Sequence, residues 1–495
     1  MKKRDIAVIL MDQLSAKWYE CASELGYTPN IDKIKAKSTY FTKCYTSSPM
    51  CVPARVSMFT GLHPRQHGCW WAGYTLNENL RTYMNILKDD GYRTAGIGKF
   101  HIAPEHMLSR PDYTKYGFDY SVETEDWEKC YPFGFINNND PSSDSGFFYT
   151  LEDKEKTQTE FITRAAENYF DMMDDGDRLC TMISYVQPHP PITPPREYLD
   201  RVDKDKLPKM IKPKWRNDEG APYDAFSQRA GDHPYNHQGS LRRQDPEEFW
   251  AQARVHYFAD IIHLDEQVGR IISKLDERNG WENTDIIITA DHGEMLGDHD
   301  MNGKLGIHYD ACVRVPLIVH AQDTSSDTCE SLIQHEDIFY TVLDMAGLSE
   351  KWYDYGQTSL VRHASRNAGS YYRTMKVNEP LKIAGMPGSV IPFCKGETND
   401  MWRDAAIIES VDSKDNPYGH WARTVIKGDY RYTYFPGLRK EQLFNIIHNP
   451  DETENLAADP KYADKMQEMR VELIERSTWT EYPLPTRDMS ARDLV

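Results

Sequence analysis

The sequence predicts an α/β protein: a mixed, mostly parallel sheet flanked by helices, followed by a smaller C-terminal α+β domain that contains an antiparallel sheet. Three observations lead there. Short apolar runs at 6–11, 94–98, 181–187 and 286–290 each end in a polar cluster, namely Asp12-Gln13, Lys99, Pro188-His189 and Asp291-His292. Stretches with helical spacing at 161–173 and 250–275 separate such runs, the pattern of strands buried on both faces of a parallel sheet. After about Gly347 the texture changes to loops and then to alternating runs, and 495 residues are enough for more than one domain. The expected division is 1–360 for the large domain and 361–495 for the C-terminal one.

Taken in order, 6–11 reads as the first buried strand. The stretch that begins at Cys51 reads as a helix, because Pro53 suits a first turn and Gly61 suits a stop. Run 94–98 leads into Lys99 and His101, whose alternation at a strand end would turn both to one side. The helix at 161–173 precedes strand 181–187. From 188 to 246 the chain is rich in Pro, Lys, Asp and Gly and reads as a long surface excursion rather than a domain. The helix at 250–275 ends near Asn279-Gly280, and strand 286–290 follows it. A second loop-rich stretch runs through Gly396. Runs 423–426 and 430–435, broken by Lys427-Gly428-Asp429, then indicate a hairpin, with a last helix over 461–476 packed on it.

In an open α/β sheet, ligands bind beyond the carboxyl ends of the strands, so the four polar clusters are expected to converge there. Cys51 at a helix N-terminus would meet free N–H groups that favour an anion, and Arg55 one turn on adds positive charge. A structural thiol remains the alternative on these residues alone. Asp291-His292-Gly293-Glu294 places a carboxylate and an imidazole at a strand end, with Gly293 allowing a close turn. With Asp12 this makes a donor set for a divalent cation, in which oxygens favour Ca²⁺, Mg²⁺ or Mn²⁺ and the imidazole moves the balance toward transition metals.

The residues Cys51-Val52-Pro53-Ala54-Arg55, followed by Thr60-Gly61, resemble the C-x-P-x-R signature of the type I sulfatases of the alkaline phosphatase-like superfamily. Ala54 stands where Ser is commoner. The resemblance implies that Cys51 is converted to formylglycine by a maturation enzyme, and that the hydrated aldehyde supplies the nucleophilic oxygen. Asp12, Gln13, Cys51, Asp291 and His292 are then the metal set. The Gln13 and His292 variants are similar to those in choline sulfatases and phosphonate monoester hydrolases. Ca²⁺ is expected first, with Mn²⁺ or Mg²⁺ next. Gly98-Lys99-Phe100-His101 is similar to the family's G-K-x-H element, in which the Lys holds a sulfate oxygen and the His supports the nucleophile. His189 resembles the family His that reaches the leaving-group oxygen, and Lys304 matches the Lys that follows the Asp-His element. Arg55, Lys99 and Lys304 are expected to neutralise sulfate charge, and His189 or Lys304 to protonate the leaving alcohol. Leu443-Phe444-Asn445-Ile446 and the stretch from Asn449 to Ala457 are similar to the family's C-terminal elements.

Lys and Arg number 58 against 77 Asp and Glu, a formal net charge of −19, which argues against nucleic acid, anionic membranes and long polyanions as partners. A mono- or oligosaccharide sulfate is the expected substrate, and Trp70 and Trp71 offer faces for a sugar ring, although adjacent Trp residues are more often core. Nine Cys without a C-x-x-C pair suit a reducing compartment, and the run at 6–11 is too short for a signal peptide, so the cytoplasm is expected. Three rivals stand beside the sulfatase expectation. A phosphonate monoester or phosphodiester hydrolase of the same superfamily would have Tyr and Thr where this chain has Lys99 and His101. A catalytically inactive binder of sulfated ligands and a thiol hydrolase using Cys51 with His101 are the others.

Overall fold

The computed structural model describes residues 4–71, 73–102, 111–124, 126, 147–212, 245–301, 303–304, 306–325, 327–349, 387–411, 421–436 and 439–480. Its main sheet is built from β1 (Asp5–Asp12), β2 (Thr39–Phe41), β4 (Arg93–Gly98), β5 (Tyr120–Glu123), β6 (Leu179–Pro188), β7 (Thr284–Ala290), β8 (Leu317–His320) and β9 (Thr328–Cys329), while β3 (Cys44–Tyr45) pairs with β10 (Ile333–Gln334). The eight strands run in the order β5-β4-β6-β1-β7-β8-β2-β9. The four strands expected from apolar runs are therefore the four central neighbours. They pair in parallel, β4 with β6, β6 with β1 and β1 with β7, so their carboxyl ends share one edge. Strands β7 and β2 both meet β8 antiparallel, which makes the sheet mixed. Every residue of β1 and β7 is buried, as expected of strands covered on both faces.

Two groups of helices flank this sheet. Helix Gln158–Met172 and the long helix Pro246–Asn279 pack on each other and on β6. Helix Cys51–Thr60 packs against Glu336–Met345, and all ten of its residues are buried. Gly61 ends that helix at φ 68°, its N–H returning to Ser57 O at 2.9 Å, the left-handed cap the sequence suggested. The excursion after β6 is tied down as far as residue 212 by bridges from Phe148 to Ile192 and from Leu151 to Pro195. The remainder of the loop expected over 188–246, most of the second loop through Gly396, and the 360/361 boundary lie outside the described residues.

The C-terminal antiparallel sheet has the order β11-β12-β13-β14, with β11 Ala405–Ser410, β12 Ala422–Lys427, β13 Tyr430–Phe435 and β14 Lys440–Asn445. The expected hairpin is β12 and β13. Alternation sends Ile407, Val425 and Leu443 to one face, where helix Ala463–Thr480 covers them with Met466, Met469 and Leu473. Ile408, Ile426 and Phe444 point the other way, onto Met295, Met301, Ile307 and Tyr309 of the segment that follows β7. The small sheet thus backs the segment that carries Lys304.

Buried polar contacts reinforce that backing. His308 reaches Thr424 Oγ1 at 2.7 Å and Ser410 Oγ at 2.9 Å. Glu452, in the C-terminal element noted in the sequence, accepts from Asp310 N at 2.9 Å and pairs with the buried guanidinium of Arg431. Removing one partner of a buried pair leaves the other charge uncompensated. Glu452→Ala should therefore lower unfolding stability by about 3–5 kcal/mol in urea titrations, and a loss within about 0.5 kcal/mol, the range of ordinary surface substitutions, would show that the pair does not brace the segment.

Candidate active site

The carboxyl ends of β1, β4, β6 and β7 deliver their polar residues to one place, and the N-terminus of helix Cys51–Thr60 meets them there. Asp12, Cys51, Asp291 and His292 each offer a ligand atom within 4.8 Å of the others, and all four are buried. Cys51 is the first residue of its helix, after Met50 in extended backbone. Its Sγ lies 3.3 Å from His292 Nε2, 3.9 Å from Asp12 Oδ1 and 2.9 Å from Lys304 Nζ.

The carboxylates are held by Arg55, which is fully buried. Its Nε donates to Asp291 Oδ2 at 2.9 Å, its Nη2 to Asp12 Oδ2 at 3.1 Å, and its Nη1 to Lys99 O and Ser184 Oγ at 2.6 and 2.8 Å. The expectation that Arg55 faces sulfate meets a different geometry, because its three nitrogens engage protein atoms. Lys99 Nζ lies 2.6 Å from Asp12 Oδ2. Burial alone would lower the Lys99 ammonium, but the charges of Asp12 and Cys51 outweigh it and hold it above the ordinary lysine value. Burial would likewise raise Asp12, yet Lys99 and Arg55 among its neighbours keep its carboxyl well below the usual range. Asp291 Oδ1 accepts from Gln13 N and His292 N, both at 3.0 Å.

Two details fit a cation in this cluster. His292 Nδ1 faces Gly293 O at 3.1 Å, an acceptor only, so Nδ1 carries a proton and Nε2 is the ring atom turned to Asp12, Asp291 and Cys51. Gln13 Nε2 donates to Glu294 Oε2, which fixes the amide, and Oε1 is buried with no hydrogen-bond partner among the described residues. An orphaned, buried carbonyl oxygen on the residue after Asp12 is a ready hard donor. Gln13 is also held at φ 66°, a conformation that costs energy in a non-glycine residue and clusters at functional sites. The turn behind His292 is as close as the sequence required, since a Cβ on Gly293 would lie 2.0 Å from Ala311 O.

His101 and His189 complete the site. β4 ends at Gly98, so Lys99 and His101 are placed by the turn after the strand rather than by strand alternation, and His101 sits at φ 53°. It hydrogen-bonds Cys51 and helps to lower that thiol. For Cys51, burial acts upward but is overcome first by Lys304 and then by Lys99 and His292. His189 Nε2 lies 2.9 Å from Lys304 Nζ, and its Nδ1 faces Pro190 O. Burial and the Lys304 ammonium push this imidazole down to about 4, so a neutral ring accepts a hydrogen bond from Lys304 Nζ through Nε2.

Several supporting residues have only faint sequence signals. Glu294 carries the Gln13 amide on one oxygen and Leu296 N on the other, at 2.9 Å, and an acid three residues past Asp291 is its only mark in the sequence. Ser184 is a polar residue inside an apolar run. Thr46 Oγ1 donates to Asp291 O at 2.8 Å, and His335 Nε2 meets Ala290 O at 3.0 Å, yet neither lies near the other clusters in sequence.

The sulfatase family pattern matches residues 4–348. The chain is 23% identical to an arylsulfatase of Clostridium perfringens (strain 13 / Type A), over 96% of this chain and 94% of that protein. The crystal structure of a phosphonate monoester hydrolase of Agrobacterium radiobacter superposes with a TM-score of 0.78 at 22% identity, covering 97% and 96% of the two chains. A protein solved in complex with its substrate D-glucosamine-2-N,6-O-disulfate superposes with a TM-score of 0.69 at 19% identity, covering 98% and 100%. The matched span contains the ends of β1, β4, β6 and β7, and the chain belongs to the sulfatase family, a sulfuric ester hydrolase with the alkaline phosphatase-like fold.

Proposed function

We propose that the protein hydrolyses a sulfate monoester on a mono- or oligosaccharide, with Cys51 matured to formylglycine and one divalent cation, Ca²⁺ first, held by Asp12, Gln13, Asp291, His292 and the Cys51-derived oxygen. The observation that carries this reading is the meeting of two ammonium groups, Lys99 and Lys304, with His101 and His189 around Cys51 at the edge of the carboxylate cluster. The cation supplies Lewis-acid stabilisation of developing negative charge, and formylglycine supplies the attacking oxygen. Lys99 and Lys304 present their charges to the non-bridging sulfate oxygens, where negative charge must be balanced through the transition state. Arg55 serves by holding Asp12 and Asp291 in register instead of touching sulfate. The Lys304–His189 pair delivers a proton to the leaving oxygen as the S–O bond breaks, and His101 takes the proton of the remaining Cys51-derived hydroxyl, so that sulfate is released as the aldehyde re-forms.

Support for a sugar comes from the half-buried Trp70 and Trp71 soon after the nucleophile helix, and from the sulfated glucosamine that is substrate for one structural neighbour. The stretches 188–246 and 361–396, the latter opening a C-terminal unit 361–495, carry the residues that would choose among sulfated sugars. Eight described cysteines are free thiols, in keeping with a cytoplasmic site of action and a formylglycine-generating enzyme as maturation partner. No helix among the described residues is long and apolar enough to cross a membrane.

A second reading, phosphonate monoester hydrolysis, is favoured by the likeness to the Agrobacterium enzyme. Kinetics separate the two. Sulfate esters should be cleaved with the higher kcat/KM, and Lys99→Ala should lower that value about 10²–10³-fold, as loss of a single charge-stabilising donor does. A higher value for phosphonate esters would establish the second reading.

Maturation is tested by mass. The peptide that spans Cys51, taken from a host with the modifying system, should carry aldehyde in place of thiol, and active protein with unmodified Cys51 would refute the nucleophile assignment.

For the metal, Glu294→Gln removes the carboxylate that orients Gln13 but leaves all proposed ligands intact. Calorimetric titration of metal-stripped protein should give about 10–100-fold weaker cation binding, the usual cost of losing an outer partner. Unchanged affinity would take Gln13 out of the ligand set.

A further inference from the structure

The long helix Pro246–Asn279 lies outside the site, yet one of its faces touches three of the loops that build it. Arg254 donates to Leu296 O at 3.1 Å and to Asp298 Oδ1 at 2.6 Å, on the segment that leads to Lys304. Tyr257 OH donates to Gln13 O at 2.7 Å. Asp260 Oδ2 accepts from Thr193 N at 3.1 Å, on the loop that carries His189. Positions 254, 257 and 260 are three apart and share a helix face.

Asp260 is the least expected of the three. It is fully buried, its Oδ2 has one backbone donor, and its Oδ1 has no hydrogen-bond partner among the described residues. Burial pushes the carboxyl well above its ordinary range. A buried carboxyl with one oxygen unmatched costs stability relative to an apolar side chain of the same shape, so packing alone does not explain it.

The contact with Thr193 N falls at a decisive place. Gln187 Nε2 donates to Thr193 Oγ1 at 3.2 Å and Gln187 Oε1 accepts from Thr159 Oγ1 at 2.8 Å, which closes the neck of the 188–193 loop. Between these anchors Pro190 O receives His189 Nδ1, the contact that leaves Nε2 facing Lys304. We propose that Asp260 is a positioning residue that fixes the Thr193 end of this loop, and through it the ring of His189, for proton delivery to the leaving oxygen. The inference rests on the reading of the His189–Lys304 pair as leaving-group acid.

The test uses matured protein and a series of aryl sulfates of graded phenol acidity. Asp260→Leu matches the side chain in shape and removes the acceptor. It should keep or raise Tm, lower kcat/KM by about tenfold or more for the least acidic phenol, and change the most acidic by less than about threefold, because only poor leaving groups need the proton. Asp260→Asn keeps an oxygen for Thr193 N and should restore the wild-type dependence. Asp260→Ala is read in the same way should the Leu variant fail to fold. His189→Ala provides the reference. If it steepens the dependence and the Asp260 variants do not, or if they slow all substrates alike, the inference about Asp260 is overturned while the acid reading stands. If His189→Ala itself leaves the dependence unchanged, the acid reading fails and the positioning role falls with it.

Discussion

The active site depends on one buried guanidinium. β1 and β7 are adjacent and parallel, so Asp12 and Asp291 end side by side in a region without solvent. Two carboxylates in that setting repel, and burial would protonate one of them. Arg55 lies between them with a nitrogen to each, and a third nitrogen reaches Lys99 O just past β4 and Ser184 Oγ within β6. One side chain therefore ties together the four central strands. Because Arg55 stands one turn beyond Cys51, the same contacts fix the Cys51 helix in rotation and along its axis. A lysine there has neither the planar fork nor the number of donors to do this.

Around that tie, the turns that carry the site are backed by packed structure. The Lys304 segment rests on the C-terminal sheet through Ile408, Ile426 and Phe444, and on Arg254 through Asp298. Gln13, in a left-handed conformation, is held at its N–H by Asp291, at its carbonyl by Tyr257 and at its amide by Glu294. Such strain persists only where surrounding contacts over-determine it. The site is thus a set of short, costly turns mounted on a large core, the arrangement that fixes donor atoms closely enough for electrostatic stabilisation.

Much of this was legible in the sequence, for identifiable reasons. Strands β1, β4, β6 and β7 are buried on both faces and so read as apolar runs, and their parallel pairing follows from the helices between them. Cys51, Pro53, Arg55 and Gly61 mark a helix start and stop by local chemistry alone. Strands β2, β8 and β9 carry no such signal, because three, four and two residues are too few to show a period. Arg55 was recognisable as a site residue but its partner was not, since a nearby positive charge says nothing about whether it meets substrate or protein. His101 was found for a partly wrong reason, as a turn rather than strand alternation brings it in. Tyr257 and Asp260 were hidden, because a polar residue on a helix face acquires meaning only when the loop against it is known.

The choice between sulfate and phosphonate lies in residues that the shared fold does not determine. Carboxylates, the Cys51 helix and the imidazole at position 292 would serve either reaction, since each needs a cation and an activated oxygen. What differs is the rest of the anion. A sulfate monoester presents three non-bridging oxygens and no second substituent, so the space beside the nucleophile is best filled by compact cations. A phosphonate monoester carries a carbon substituent on phosphorus, which must lie against something less charged. Here Lys99 is buried beside Asp12, and its ammonium is stabilised by the carboxylate it touches. Placing an apolar group against that ammonium would strip its remaining hydration without giving it a partner, whereas a sulfate oxygen would complete its coordination. The burial of Lys99, more than its presence, is what tilts this site toward the sulfate ester.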